Sequence, residues 1–209
     1  GLAAERARAF GIKVAMVVVD DDVALPDLPQ PRGVAGTLFV HKIAGAAAEA
    51  GASLDEIAAL AQKTIDGVFS IGMSLDTCTV PGSPKEDRIA AGKAELGLGI
   101  HGEAGVEQVD FEGARHAMEM VAEKLKPHLD DRPHVALLNN LGSTTPLEMS
   151  VLAEELCRSS IAGKVSHMIG PAPLMTSLDM RGFSVSLLPV GVDELNALKA
   201  PVAPVAWPG

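Results

Sequence analysis

The stretch HVALLNNLGSTTPLEMSVLAEEL, His134–Leu156, carries the local pattern that decides the fold. HVALLNN, at its start, is an apolar run of strand length, closed by two asparagines. Thr145, Pro146 and Glu148 then supply a cap, a first-turn proline and a capping-box acid, which predict a helix to about Arg158. A strand leading through a short loop into a capped helix is the unit of folds that mix sheet and helix.

The same reading extends downstream. KVSHMIG, residues 164–170, is a weak strand candidate, and GFSVSLLPV, residues 182–190, a clear one. Asp193 is placed to cap a short last helix, and the tail APVAPVAWPG is proline-rich. Upstream, Thr37–Ala50 is an Ala-rich helix closed by Gly51, and Ser53 with Glu56 forms a capping box for a helix to about Ile65. VFSIGMSLDTCTVP reads as a strand and turn, and AELGLGI as a strand leading to His101. Phe111–Leu125 is an amphipathic helix with Asp110 as its expected cap. Strands and helices do not alternate strictly, so the expected class is α/β with a mixed β-sheet and packed helices.

The first residues stand apart. Leu2–Phe10 is a short helix ended by Gly11. KVAMVVV, Lys13–Val19, is a continuous β-branched run of the type buried on both faces of a sheet. Asp20, Asp21 and Asp22 follow, as a solvated turn or as the wall of a site. LPDLPQPRG, with Pro26, Pro29 and Pro31, reads as a linker. The expected organisation is therefore 1–25 as the last helix and strand of a first unit, 26–33 as linker and 34–209 as a second unit. One helix cannot cover one strand, so the strand's partners lie later in the chain or are missing. With Gly1 in place of a starting Met, the expectation is a piece of a longer chain.

Composition narrows the function. Of 209 residues, 47% are apolar but only 3% aromatic, so the core must be aliphatic. Lys and Arg number 17 against 27 Asp and Glu, a net charge of −10, which argues against nucleic acid. No apolar run approaches the ~18 residues of a membrane span, and no secretory signal is visible. Two widely spaced cysteines, Cys78 and Cys157, fit a reducing cytoplasm.

The short motifs are individually weak. GLGIHG, residues 97–102, matches G-x-G-x-x-G, but no helix follows before Phe111 and Glu103 would repel a phosphate. The six histidines and two cysteines form no metal-ligand spacing, and G-x-S-x-G is absent. The NNLGSTTP loop is either an anion site on its amides or a well-capped turn. His101 is either a histidine hydrogen-bonded at a strand end or a site residue, with glycines that admit a ligand close to its ring.

Longer motifs in order are more specific. VVVDDDVA, GTLFVHKIAGAAAEAG, SIGMSLDTCTVPG, ELGLGIHGEAG, LLNNLGSTTPLEM and TSLDMRGFSVSLL together resemble the K domain, or K subunit, of dihydroxyacetone kinases. The resemblance runs over essentially the whole chain and implies the second subdomain of that fold plus the end of the first. It implies that His101 attacks the ketone of dihydroxyacetone and holds it as a covalent hemiaminal, with Gly102 beside the substrate. Glu103, next to that anchor in sequence, is expected to orient the imidazole. A glycine-rich loop with a second histidine, a lysine and an aspartate of the family pattern have no counterpart here. Ala104 stands where the family often has proline, which loosens the turn after His101. The resemblance also implies a homodimer, and ATP or ADP with Mg2+ on a separate L domain or subunit. No cofactor site is expected in this chain, which has no G-x-x-x-x-G-K-[ST] loop. The alternatives are a kinase for a related ketose such as erythrulose, a non-catalytic co-regulator, and a distantly similar lipid-binding protein.

Overall fold

The computed structural model describes residues 1–24, 32–97, 105–202, 204 and 207. Its centre is a six-stranded sheet built from β1 (Phe69–Ser74), β2 (Lys93–Leu96), β3 (Glu107–Asp110), β4 (His134–Asn140), β5 (Val165–Ala172) and β6 (Gly182–Pro189). The order across the sheet is β3-β2-β1-β6-β4-β5. Every neighbouring pair is antiparallel except β4 with β5, which is parallel. That parallel pair is joined by the helix of the opening motif, α5 (Pro146–Leu156), as a parallel connection requires.

The alternation of side chains along the strands makes two apolar faces. On one, Ile71, Met73, Leu138, Phe183, Val185 and Leu187 pack with α4 (Ala114–Leu125) and α5. On the other, Val135, Leu137 and Leu188 meet Phe39 and Ile43 of α2 (Thr37–Glu49) and Leu198 of α6 (Val192–Lys199). Helix α3 (Leu54–Gly67) packs on α2 through Ala61 and Ile65 against Val40. The mixed sheet with packed helices is as the sequence predicts, and the structure places those helices on both faces, in three layers. Burying each large aliphatic side chain contributes about 1.5–3 kcal/mol. Some polar residues of the central strands pair across the sheet, as the Ser70 hydroxyl does with Ser186 Oγ at 2.6 Å.

Three sequence expectations change. Lys13–Val19 forms no strand ladder among the described residues. It follows α1 (Leu2–Ala9) and is covered on one side only: Val17 and Val19 rest on Val40, Ala61 and Ile65 of α2 and α3. Met16 and Val18, on the alternate side, are exposed. A β-branched run becomes a buried strand only where strands flank it, and among the described residues none flanks this one. Asp110 is not a helix cap. It is the last residue of β3, opposite Lys93, and the Phe111 amide continues the ladder to Gly92 O at 2.9 Å. The chain turns only at Gly113, whose φ of +104° suits glycine, and α4 begins at Ala114. Asp193 lies inside the first turn of α6, where the helix dipole favours an acid; Gly191 caps it, its amide donating to Glu194 Oε2 at 3.0 Å.

The boundary between the two expected units is stitched rather than open. The Ser70 amide donates to Asp21 O at 2.6 Å, and the Val23 amide to Ser70 O at 2.9 Å. Residues 21–23 thus occupy the edge of β1 beyond the end of β2. Most of the expected linker lies outside the described residues, but Arg32, near its end, folds back on Asp22.

Candidate functional site

The candidate site is the turn that leaves the sheet after β2 and re-enters it at β3. Backbone bonds hold both its ends: the Gly97 amide donates to Gly72 O of β1 at 2.8 Å, and the Val106 amide donates across to Leu96 O at 2.9 Å. His101, Gly102, Glu103 and Ala104 lie outside the described residues, so the geometry available is that of the flanks, Gly97 and Gly105.

Both flanking glycines are required by space. Gly97 has a φ of +73°, and a Cβ there would sit 2.4 Å from Ala24 Cβ. A Cβ on Gly105 would lie 2.8 Å from Glu95 Cβ and 3.0 Å from Leu96 O. The first of these contacts brings the Asp20–Asp22 segment beside the turn.

Each flank is held by the side chain of an ion pair. At the entry, Arg32 Nη2 donates to Gly97 O at 2.9 Å, while its Nε donates to Asp22 Oδ2 at 2.5 Å. Asp22 also accepts from the Ala24 amide, at 2.9 Å. At the exit, the Gly105 amide donates to Glu95 Oε2 at 3.1 Å. Arg88 meets the same carboxylate with Nε at 3.1 and 3.2 Å and Nη2 at 3.1 Å. Gln108 Nε2 reaches Arg88 O at 2.7 Å and Glu95 Oε1 at 3.4 Å, which closes the network. Glu95 is only 2% exposed. Burial pushes its pKa up, but the Arg88 guanidinium, the Gly105 amide and Gln108 outweigh that and hold it below the usual carboxylate range. An unpaired carboxylate so placed would cost several kcal/mol, on the order of the effective ion-burial penalty in proteins.

The three aspartates separate. Asp20 is exposed, whereas Asp21 and Asp22 are buried. Asp21 accepts from the Val34 amide at 2.7 Å and the Gly36 amide at 2.8 Å, so it ties the segment to the entry of α2. The cluster is therefore structural at its second and third positions.

The NNLGSTTP loop takes the capped-turn form. The Gly142 amide donates to Asn140 Oδ1 at 2.9 Å, the Ser143 amide to Met180 O at 3.1 Å and the Thr145 amide to Glu148 Oε2 at 2.9 Å. Those three amides are committed within the protein. Among the described residues, no group of three or more His, Cys, Asp and Glu side chains is arranged to hold a metal ion.

Arg32, Arg88, Glu95 and Gln108 were not among the expected site residues. The one signal in the sequence was a glutamate inside the apolar strand AELGLG. The contact of Arg32 with the turn spans 65 residues and leaves no local trace.

Residues 1–206 match the family model of the Dak1 domain. The chain belongs to the Dak1 family. It is 40% identical over 210 residues to a dihydroxyacetone kinase of Citrobacter freundii, covering 100% of this chain and 38% of that protein. It is 39% identical over 219 residues to the dihydroxyacetone-binding subunit DhaK of a PTS-dependent dihydroxyacetone kinase of Listeria innocua, covering 99% and 65%. The crystal structure of the Citrobacter freundii kinase in complex with AMP-PNP and Mg2+ superposes with a TM-score of 0.94 and 39% identity, over 100% of this chain and 39% of that one. The dihydroxyacetone kinase operon co-activator Dha-DhaQ superposes with a TM-score of 0.87 and 32% identity, over 96% and 65%. This Dak1 chain thus spans 38% of the length of the Citrobacter kinase, and its mixed sheet with packed helices is the fold of these relatives.

Proposed function

We propose that this Dak1 chain is the substrate-binding part of a dihydroxyacetone kinase, with His101 as the covalent anchor of the ketone. The observation that carries the reading is the match, over 99% of the chain, to a subunit named for binding dihydroxyacetone. The physical chemistry supports it. Dihydroxyacetone is uncharged, with about six heavy atoms, and even the best small ligands gain only about 1.5 kcal/mol per atom. A reversible bond adds affinity where contacts are few. It also selects: glycerol has similar hydroxyls but no carbonyl, and cannot form the adduct.

In the proposed step a neutral imidazole nitrogen attacks the carbonyl carbon. A C–N bond forms, the carbonyl π pair moves to oxygen, and that oxygen takes up a proton while the ring loses its N–H proton. A histidine of ordinary pKa, about 6.5, is mostly neutral at cytoplasmic pH and ready for this role. Gly102 leaves room at the ring, and Glu103 orients it. The terminal hydroxyl stays free to accept a phosphoryl group. ATP or ADP with Mg2+ belongs, in this reading, to a separate L domain or subunit, and the K part acts as a homodimer. A cytoplasmic location is in keeping with Cys78 and Cys157, both free thiols. No helix among the described residues is long and apolar enough to cross a membrane. Residues 1–25 are the end of the first subdomain and 34–209 the second.

The test is carbon NMR with dihydroxyacetone labelled at its carbonyl, on the longest natural chain that carries this sequence. The expected result is a signal that moves from the ketone to the tetrahedral region in wild type and is lost in His101→Ala. Competition with erythrulose then ranks the two ketoses. Absence of the tetrahedral signal in wild type would overturn the anchor. It would favour the second reading, a co-regulator, for which the likeness to the operon co-activator is the specific observation.

A further inference from the structure

We propose that β5, the last strand of the sheet, is an acid-sensitive element, fastened to β4 only while the buried ring of His134 stays neutral.

Strand β5 has one neighbour in the sheet, β4. On its other side β4 pairs with β6 in unbroken register, from His134 opposite Pro189 to Asn140 opposite Phe183. The ladder between β4 and β5 is less regular. It shifts between His134 and Val135, and again between Leu137 and Asn139. Every residue of β4 and β6 is buried, and none of β5 is. A strand held on one side, by an interrupted ladder and with partial cover, lies at the low end of local stability. It opens before the centre of the sheet does.

His134 sits where that ladder begins, in register with Val165 of β5 and Pro189 of β6. It is 1% exposed, and neither ring nitrogen has a hydrogen-bond partner. A neutral imidazole so placed leaves one N–H unsatisfied. An imidazolium leaves two, with a charge out of water besides. The groups around the ring do not compensate. Val165 and Pro189 carry no charge. Asp130 favours the cation, whereas Arg132 and Lys164 oppose it. Asp130 is also already paired, with Arg132 at 2.5 Å, and Lys164 is paired with Asp131 at 2.7 Å. His128, on the turn before β4, stacks instead on Phe69 of β1, with 4.7 Å between ring centroids. Burial therefore holds the His134 pKa below its ordinary 6.5, against the Arg132 backbone and Asp130.

Linkage gives the direction of the response. While β5 is in place His134 is neutral. Once β5 lifts away, water reaches the ring and it takes up a proton. The open form therefore binds more protons than the closed one as pH falls below 6.5, and acid favours it. The contribution of the neutral ring is full above 6.5 and is lost as pH falls. The test is hydrogen exchange, resolved by segment, on the longest natural chain that carries this sequence, from about pH 8 to about pH 5. Each rate is divided by the intrinsic rate at the same pH to give a protection factor. Protection of β5 should lie below that of β1 throughout, and should fall on the order of tenfold across the range, within what burial does to a histidine. In His134→Gln the fall should be gone. His167 is the titratable side chain of β5 itself, exposed, with its Nε2 3.4 Å from Lys199 Nζ of α6. His167→Gln should keep the fall. The proposal is overturned if β5 is as protected as β1 at the acid end, since the strand then opens only with the whole molecule. It is overturned equally if His134→Gln keeps the fall or His167→Gln removes it. Proton NMR of wild type tests the sensor without a substitution: the His134 ring should titrate below the range of a free histidine, and titration within that range in the folded protein would sink the idea.

Discussion

Asp21 has both carboxylate oxygens engaged, one by the Val34 amide and one by the Gly36 amide, at the point where the chain turns into α2. Its pKa is raised: burial dominates, against the Ser70 hydroxyl and the two amides, which favour the charged form. The folded state therefore holds its proton more readily than the unfolded chain. The contribution of this group to stability is full below the unfolded value of 3.8 and is lost as pH rises through the folded one. The carboxylate nonetheless stays because removing it strands two buried amides. Asp21→Ala should cost about 2–4 kcal/mol in urea unfolding at neutral pH, from two lost bonds and two unsatisfied donors. Asp21→Asn, which keeps one acceptor oxygen, should recover part of that. Three consecutive aspartates read as a solvated turn because the partners that bury Asp21 are backbone amides 13 and 15 residues away, which no side-chain pattern reveals. The same holds for the turn. The sequence marks His101 by its glycines, and the structure explains Gly97 and Gly105 sterically. Arg32, which reaches Gly97 across 65 residues, and Arg88, seven residues before Glu95 in a stretch with no regular element, were not visible.

Local chemistry made the helices legible where caps carry it. Both predicted capping boxes are present, Ser53 with Glu56 and Thr145 with Glu148. The strands with apolar content, β1, β4 and β6, were legible for the same reason, since their side chains are buried. Strand β3 was not. Its sequence, EQVD, has three exposed residues and no apolar alternation, and its pairing is imposed by β2 across the turn. The helix expected from Phe111 starts late because β3 still holds the chain there. Thr145 offers the element-scale test. Its hydroxyl accepts from the Glu148 amide, and the Glu148 carboxylate accepts from the Thr145 amide and pairs with Arg181. Thr145→Ala should cost about 1 kcal/mol, the usual worth of a cap. The Thr145 amide, the Arg181 side chain and the Thr145 hydroxyl hold the Glu148 pKa down at about 2, from 4.5. A depressed carboxylate stabilises the fold fully above 4.5 and loses that contribution as pH falls through about 2. Wild type should therefore lose stability relative to Glu148→Gln as pH falls below 4.5, read from urea midpoints across that range. The gap stays small because Glu148 is partly exposed.

At the scale of the whole molecule two terms compete in solution. The chain carries a net charge of −10, which keeps copies apart. It also exposes a line of apolar side chains before the sheet: Phe10 at 75%, Ile12 at 58%, Met16 at 59% and Val18 at 54%. Exposed apolar side chains of this size favour association or another apolar face. Charge repulsion is screened by salt, with a Debye length of about 8 Å at 0.15 M, whereas apolar contact is not. The isolated chain should therefore scatter more light as salt rises, and bind a hydrophobic dye at all salt concentrations. The double variant Met16→Ser, Val18→Ser should weaken both effects while changing stability by less than about 0.5 kcal/mol per site, as surface substitutions do. Val17→Ser is the opposite case. Val17 rests on Val40, Ala61 and Ile65, so its loss should lower the unfolding midpoint and leave scattering unchanged. If Val17→Ser is as silent in stability as the outer pair, the one-sided seating of Lys13–Val19 on α2 and α3 is wrong. If the outer pair leaves scattering untouched, the surface that drives association lies elsewhere, and the next to test is Leu147 with Val151 on α5, 75% and 43% exposed.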